Sequence, residues 1–288
     1  MRIALVCLLL CLAGCGGRPR LLTIGSKNFT EQIVLGEIVA QQLERRLGQK
    51  VDRRLDLGGT LLAQQALQNG QIDVYPEYTG TALIAVLKLP PASDPGAVLA
   101  RVRGEYRKRW NLEWLDPLGF NNTFAMVVRG ADARAQGIET LSDAARRKQP
   151  WVLGVGYEFL QRPDGLGGLQ ATYHLPLSGA PKSMDLGLLY SALEQKQVDM
   201  AAANSTDGQL SVLDVKVLAD DRHYFPPYQA ALIARAQALA AHPGMQAALA
   251  QLSGRLSDAD MRGLNYQVDG KHRQVSEVAR EWLTTHCN

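Results

Sequence analysis

Cysteine is scarce in this sequence, four in 288 residues, and three of them, Cys7, Cys11 and Cys15, crowd its start, so no disulfide framework can be drawn. Lys and Arg form no run long enough for a nucleic-acid stripe, and 31 basic against 28 acidic residues leave a formal charge of only +3; no nucleic-acid partner is expected. Beyond the first residues no apolar run approaches the roughly eighteen needed for a transmembrane helix. Signatures of catalysis are missing too: there is no His-Glu-x-x-His, no Gly-x-Ser-x-Gly, no phosphate-binding Walker loop and no paired-cysteine zinc spacing. Gly154-Val155-Gly156 lacks the third glycine of a dinucleotide loop, and His223 beside Asp220 and Asp221 reads as surface charge flanking a strand. No enzyme, metal or cofactor is expected. Aromatic residues are few, at 6%, but 46% of the chain is hydrophobic, enough to bury the cores of two domains and to exclude disorder.

The chain opens with Arg2, an apolar stretch from Ile3 to Ala13 and small residues, the pattern of an export signal. Leu12-Ala13-Gly14-Cys15 resembles the lipobox of bacterial lipoproteins. That resemblance implies a signal peptide over 1–14, lipid on Cys15, a tether over 15–21 and a periplasmic body held to a membrane by its lipid.

From Leu21 onward, short strand-like runs alternate with helix-like stretches, which predicts an α/β fold with mostly parallel strands. Leu21–Ile24 reads as a strand, Gly25-Ser26-Lys27 as a turn, and Asn28 as an N-cap with Glu31 as its capping-box acid; Leu35, Ile38, Val39, Leu43 and Leu47 then share one helical face. Leu55–Leu57 reads as a second strand and Gly58-Gly59-Thr60 as a turn and cap, with a helix to about Asn69. A third strand begins at Ile72 and passes Pro76, which suits a strand end or a first helical turn. Trp151–Val155 is a further strand, followed by a polar loop over 157–164 and a glycine-rich turn over 165–168. The Pro-rich segment 220–228 suits a crossing strand, and helices are expected over about 236–252, 258–264 and 275–283. Asp56 and Asp207 read as turn or cap residues.

One internal echo stands out. Residues 66–74, Ala-Leu-Gln-Asn-Gly-Gln-Ile-Asp-Val, match residues 192–200, Ala-Leu-Glu-Gln-Lys-Gln-Val-Asp-Met. At that offset Tyr78 falls opposite Asn204, each just past a strand, and two lobes with facing strand ends would bring both to one cleft.

Six ordered motifs carry a family resemblance: Gly25-Ser26-Lys27-Asn28-Phe29-Thr30-Glu31-Gln32, Asp73-Val74-Tyr75-Pro76-Glu77-Tyr78-Thr79-Gly80-Thr81, Gly119-Phe120-Asn121-Asn122-Thr123-Phe124-Ala125, Arg162-Pro163-Asp164-Gly165, Ser205-Thr206-Asp207-Gly208 and Tyr224-Phe225-Pro226-Pro227-Tyr228. Together they resemble the substrate-binding proteins of osmoprotectant ABC importers, receptors for glycine betaine, choline, carnitine and similar solutes. The resemblance implies a two-lobed, type II periplasmic-binding-protein fold, each lobe a mixed, mostly parallel sheet flanked by helices, hinged by two crossover segments. One lobe would hold 22–122 with 228–288 and the other 123–227.

A quaternary ammonium has no N–H to donate and is held best by aromatic ring faces. The resemblance implies that Tyr78 and Tyr228 are cage walls. Phe124 stands where relatives commonly show tyrosine, and Asn204 where many place another. For an anionic end, Lys27 before the first helix, Arg162 on the second lobe and the Thr81 hydroxyl are candidate donors, with Gln32 and Asn122 as further polar candidates. Lys27 and Arg162 gripping one carboxylate would bridge the lobes and select the closed form. The expected partners are the solute, the permease subunits in the inner membrane and, through lipid, the membrane itself, with the body a monomer. The alternative is a ligand-sensing protein of the same fold for another small polar solute, not coupled to import.

Overall fold

The computed structural model describes residues 20–287; the expected signal peptide, Cys15 and most of the tether lie outside the described residues. Ten strands form two five-stranded sheets. The first contains β1 (Thr23–Gly25), β2 (Asp52–Arg54), β3 (Val74–Tyr78), β4 (Leu112–Trp114) and, from late in the chain, β10 (Ala230–Arg235), in the order β2-β1-β3-β10-β4. The second contains β5 (Phe124–Arg129), β6 (Leu153–Val155), β7 (Lys182–Ser183), β8 (Met200–Asn204) and β9 (Val215–Val217), in the order β7-β6-β8-β5-β9. In each sheet the first three strands in that order run parallel, and the fourth runs antiparallel to both its neighbours. The chain thus builds one pattern twice, and the helical crossovers lie between the parallel strands, as such connections require.

The internal echo is structural. Gln71 and Gln197 both donate their N–H to the carbonyl five residues earlier, at 2.8 Å. Asp73 and Asp199 then do the same work in the two sheets. Each carboxylate accepts the backbone N–H of the neighbouring parallel segment, from Thr23 at 2.9 Å and from Val152 at 3.2 Å. Each also pairs with an arginine on the antiparallel strand, Arg235 at 3.0 Å and Arg129 at 2.8 Å. Tyr78 and Asn204 are accordingly the last residues of equivalent central strands, β3 and β8.

The helices that flank the sheets include α1 (Thr30–Leu47), α2 (Thr60–Gln68), α3 (Pro95–Trp110), α4 (Tyr157–Gln161), α5 (Leu166–Tyr173), α6 (Leu189–Glu194), α7 (Ala236–Ala241), α8 (Met245–Ala250), α9 (Asp258–Asp269) and α10 (Val275–His286). Leu35, Ile38, Val39 and Leu43 of α1 are buried against β1 and β3 and against Val278, Ala279, Trp282 and Leu283 of α10, so the end of the chain closes the first lobe's core. Among the described residues no helix is long and apolar enough to cross a membrane.

Local departures from the sequence reading have physical causes. The second strand is Asp52–Arg54, because Asp56 adopts a left-handed backbone, φ 63°, that stops it short of Leu55. Pro76 sits inside β3: β1 pairs with β3 only at Ile24–Val74, so no neighbour on that side asks for the missing N–H. The expected loop after β6 holds the short helix α4, and α5 begins at Leu166 inside the expected turn. The helix expected over 236–252 is two, broken at His242-Pro243-Gly244, where Gly244 has φ 88°. Asp220 accepts the N–H groups of Tyr224 (3.0 Å) and Phe225 (2.8 Å), and Asp221 that of Ser142 (3.1 Å), so this acidic pair folds the crossing segment instead of merely decorating a surface.

Candidate functional site

Two chain crossings join the sheets and lie side by side. Asn122 donates its N–H to the Tyr228 carbonyl at 3.1 Å, Tyr228 donates its own to Asn121 Oδ1 at 2.6 Å, and Asn121 bridges Gln229 in antiparallel fashion. Between the sheets opens a cavity of about 480 Å³. Of the sequence-derived candidates, Lys27, Tyr78, Thr81, Asn122, Phe124, Arg162, Asn204 and Tyr228 all line it. Gln32 does not. It is buried beneath the turn, where its Oε1 accepts the Lys27 N–H at 3.3 Å.

Strand ends deliver the rings. Tyr78 closes β3, Phe124 opens β5, and Tyr228 stands just before β10 at the second crossing. The Phe124 and Tyr228 rings meet edge-on with centres 5.9 Å apart, and Phe29 stacks on Tyr78 at 6.5 Å. Gly80 permits this approach: a Cβ there would come within 2.7 Å of both the Pro227 carbonyl and the Tyr228 ring.

The two expected cations lie against these rings, but neither is unpaired. Lys27 is buried, its Nζ 2.6 Å from Glu77 and 4.7 Å from the centre of the Tyr78 ring. Arg162 donates Nε to Asp164 at 2.9 Å and makes a second, shorter bond to the same carboxylate. Its guanidinium lies 5.1 Å from the centre of the Phe124 ring and 5.8 Å from that of Tyr228, whose hydroxyl also donates to Asp164. Arg162 crosses the cleft as well, donating Nη1 to Thr81 Oγ1 at 3.0 Å. The two cations therefore meet different internal carboxylates and share none.

Several functional side chains escaped the sequence reading. Glu31 is not a capping-box acid: α1 starts at Thr30 with Phe29 as its N-cap, and no side chain caps it. Its carboxylate turns inward to accept Tyr78 Oη at 2.6 Å, Asn122 Nδ2 at 2.8 Å, Thr206 Oγ1 at 2.5 Å and Asn265 Nδ2 at 3.1 Å. Burial pushes this carboxyl above its usual range, although the four hydrogen bonds pull the other way. Asp207 does satisfy local N–H groups, accepting from Asn204 N at 3.0 Å, but it also accepts the Tyr190 hydroxyl at 3.0 Å and lines the cavity. Burial pushes its carboxyl up to about 6. Glu158, inside the expected loop, reaches across the cleft to the start of α2, accepting Thr60 N at 2.6 Å and Thr60 Oγ1 at 3.1 Å. Glu31 and Asp207 lay within quoted motifs; nothing in the sequence distinguished Glu158 from a surface acid.

The charges leave a definite balance. Lys27 is matched by Glu77 and Arg162 by Asp164, whereas Glu31 and Asp207 form no ion pair among the described residues. An aromatic-walled cavity backed by uncompensated acids favours a cation, and a cation without N–H groups loses nothing against ring faces.

With this geometry in place, comparison with known proteins is decisive. Residues 20–285 match the family model OpuAC, the substrate-binding domain of ABC-type glycine betaine transport systems. The chain belongs to this family. It is 36% identical over 293 aligned positions to a glycine-betaine-binding protein of Pseudomonas aeruginosa, covering 96% of this chain and 93% of that one. It is 34% identical over 275 positions to the carnitine transport binding protein OpuCC of Listeria monocytogenes, covering 94% and 89%. Among solved structures, a glycine betaine/carnitine/choline ABC transporter protein superimposes with a TM-score of 0.77 at 31% identity, over 92% of this chain and 98% of that chain. The fold is the type II periplasmic-binding-protein fold, and relatives named in this way are solute-binding proteins of transporters, not enzymes.

Proposed function

We propose that this protein captures a quaternary-ammonium osmoprotectant, of the class of glycine betaine, choline and carnitine, in the cleft between its lobes and hands it to an ABC permease. The observation that carries the reading is the convergence of Tyr78, Phe124 and Tyr228 on one cavity whose lining includes the acids Glu31 and Asp207, neither in an ion pair among the described residues. Arg162, held at the edge of the cavity against Thr81, is the donor for a carboxylate on the solute. Lys27 serves chiefly by fixing Glu77 and the Tyr78 ring.

The lobes divide at the paired crossings, 22–122 with 228–288 against 123–227, and closure about them traps the solute. The body works as a monomer outside the cytoplasm, tethered by lipid on Cys15. Calorimetric titration with glycine betaine, choline, carnitine and proline betaine tests the central reading: saturable one-to-one heat with at least one supports it, and silence across the panel rejects it. Mass spectrometry of the membrane-extracted protein tests the anchor, which requires an N-terminal diacylglyceryl cysteine at position 15.

A further inference from the structure

The cavity is larger than its aromatic part requires. Even at the about 30 Å³ that a water molecule occupies in the liquid, the eight non-hydrogen atoms of glycine betaine would fill only about half of it. Part of the lining comes from the second sheet and the segment that follows β8. Phe124 and Asn204 are direct partners in the β5–β8 register, so their side chains emerge on the same face as neighbours. One is a ring wall and the other a short amide. Past that amide the cavity is lined by Asp207, Tyr190, Met184 and Gln209.

The hydrogen bonds there point one way. Asn204 turns its Nδ2 to Asp207 Oδ1 at 3.3 Å, which directs its carbonyl oxygen elsewhere. Tyr190 spends its proton on Asp207 Oδ2 at 3.0 Å, leaving only lone pairs. Asp207 is half-buried and receives three hydrogen bonds, from Asn204 N, Asn204 Nδ2 and Tyr190 Oη, against about four positions that a carboxylate offers. The compartment thus offers the open position on Asp207, the Tyr190 oxygen and Asn204 Oδ1 as acceptors, beside the second Asn204 Nδ2 hydrogen and the Gln209 amide. Neither a trimethylammonium group nor a carboxylate has a proton to give it.

We propose that this is a second subsite, which receives a hydroxyl or N–H carried by an arm of a betaine, so that the preferred solute is a betaine with a hydrogen-bond-donating substituent. This rests on the quaternary-ammonium reading of the cleft and narrows it. The test titrates the protein with glycine betaine, with carnitine, which carries a hydroxyl, and with histidine betaine, which carries a ring N–H. At least one donor-bearing betaine binds about tenfold tighter than glycine betaine, the scale of one charge-assisted hydrogen bond. Asn204→Tyr, which fills the gap with a ring, cuts that preference to about threefold or less while glycine betaine still binds. Should that variant fail to fold, Asp207→Asn, which removes the charge and one acceptor oxygen, weakens all three solutes but lowers the donor-bearing betaine's advantage over glycine betaine to about threefold or less. Glycine betaine binding as tightly as both larger betaines, or a preference unmoved by the variants, overturns the subsite and leaves the aromatic cage standing. Failure of all three solutes to bind overturns the cage with it.

Discussion

Tyr78 and Tyr228 do two jobs each, offering a ring to the cavity and a hydroxyl to a buried acid, Glu31 and Asp164 respectively. A ring face is worth roughly 0.5–2 kcal/mol toward a cation. Tyr78→Ala and Tyr228→Ala therefore each weaken binding about tenfold by calorimetry, whereas Tyr→Phe keeps most of the affinity because the face survives. Arg162→Ala costs glycine betaine more than choline, since only the former has a carboxylate to lose; equal losses would place Arg162 outside the ligand's reach. Asp207 makes the site respond to pH. Its folded-state carboxyl is pushed up to about 6 from an ordinary value of 3.8, so the folded state holds the proton more tightly than the unfolded chain does. Its contribution to stability is thus fully present below pH 3.8 and declines as pH rises through 6, a slope that Asp207→Asn reduces in urea titrations. Glu31 is shifted in the same direction and leaves a residual slope. Cation affinity runs the opposite way and rises over that interval as the carboxyl ionises, with proton release that calorimetry in buffers of different ionisation heat detects.

Between elements, polar contacts cross from one sheet's side to the other. Glu158 of α4 occupies the N-terminal end of α2, where unpaired N–H groups and the helix dipole favour a carboxylate. Glu158→Gln keeps the size and removes the charge, so the closed form loosens and solute dissociation speeds up by about threefold to tenfold in stopped-flow measurements. An unchanged off-rate would mean that this contact is incidental to closure. Gly80→Ala acts differently: with Tyr228 and the Pro227 carbonyl already within 2.7 Å of the added methyl, the second crossing must shift, and both melting temperature and affinity fall.

For the molecule as a whole, the sequence made the repeated plan legible because a duplicated helix-to-strand joint, residues 66–74 and 192–200, leaves the same polar punctuation twice. Asp73 and Asp199 explain why that punctuation persists, each tying a parallel neighbour to an arginine on the antiparallel strand. The rings of the site were legible through the family resemblance, whose motifs carry Tyr78, Phe124 and Tyr228. The electrostatics were not. Lys27 and Arg162 read as free cations, but Glu77, fifty residues from Lys27, and the β-turn acid Asp164 claim them in three dimensions. Likewise Glu31 resembled a local cap, and its four partners come from segments 47 to 234 residues away. Local spacing carries no trace of such contacts.

The central claim is that the cleft recognises positive charge without N–H groups. Its most direct test is calorimetric competition between choline and its uncharged carbon isostere, 3,3-dimethylbutan-1-ol, which has the same shape and hydroxyl. Ring faces and buried acids require choline to bind at least about tenfold more tightly. Equal binding of the two would show that the cleft measures shape alone and would contradict the account.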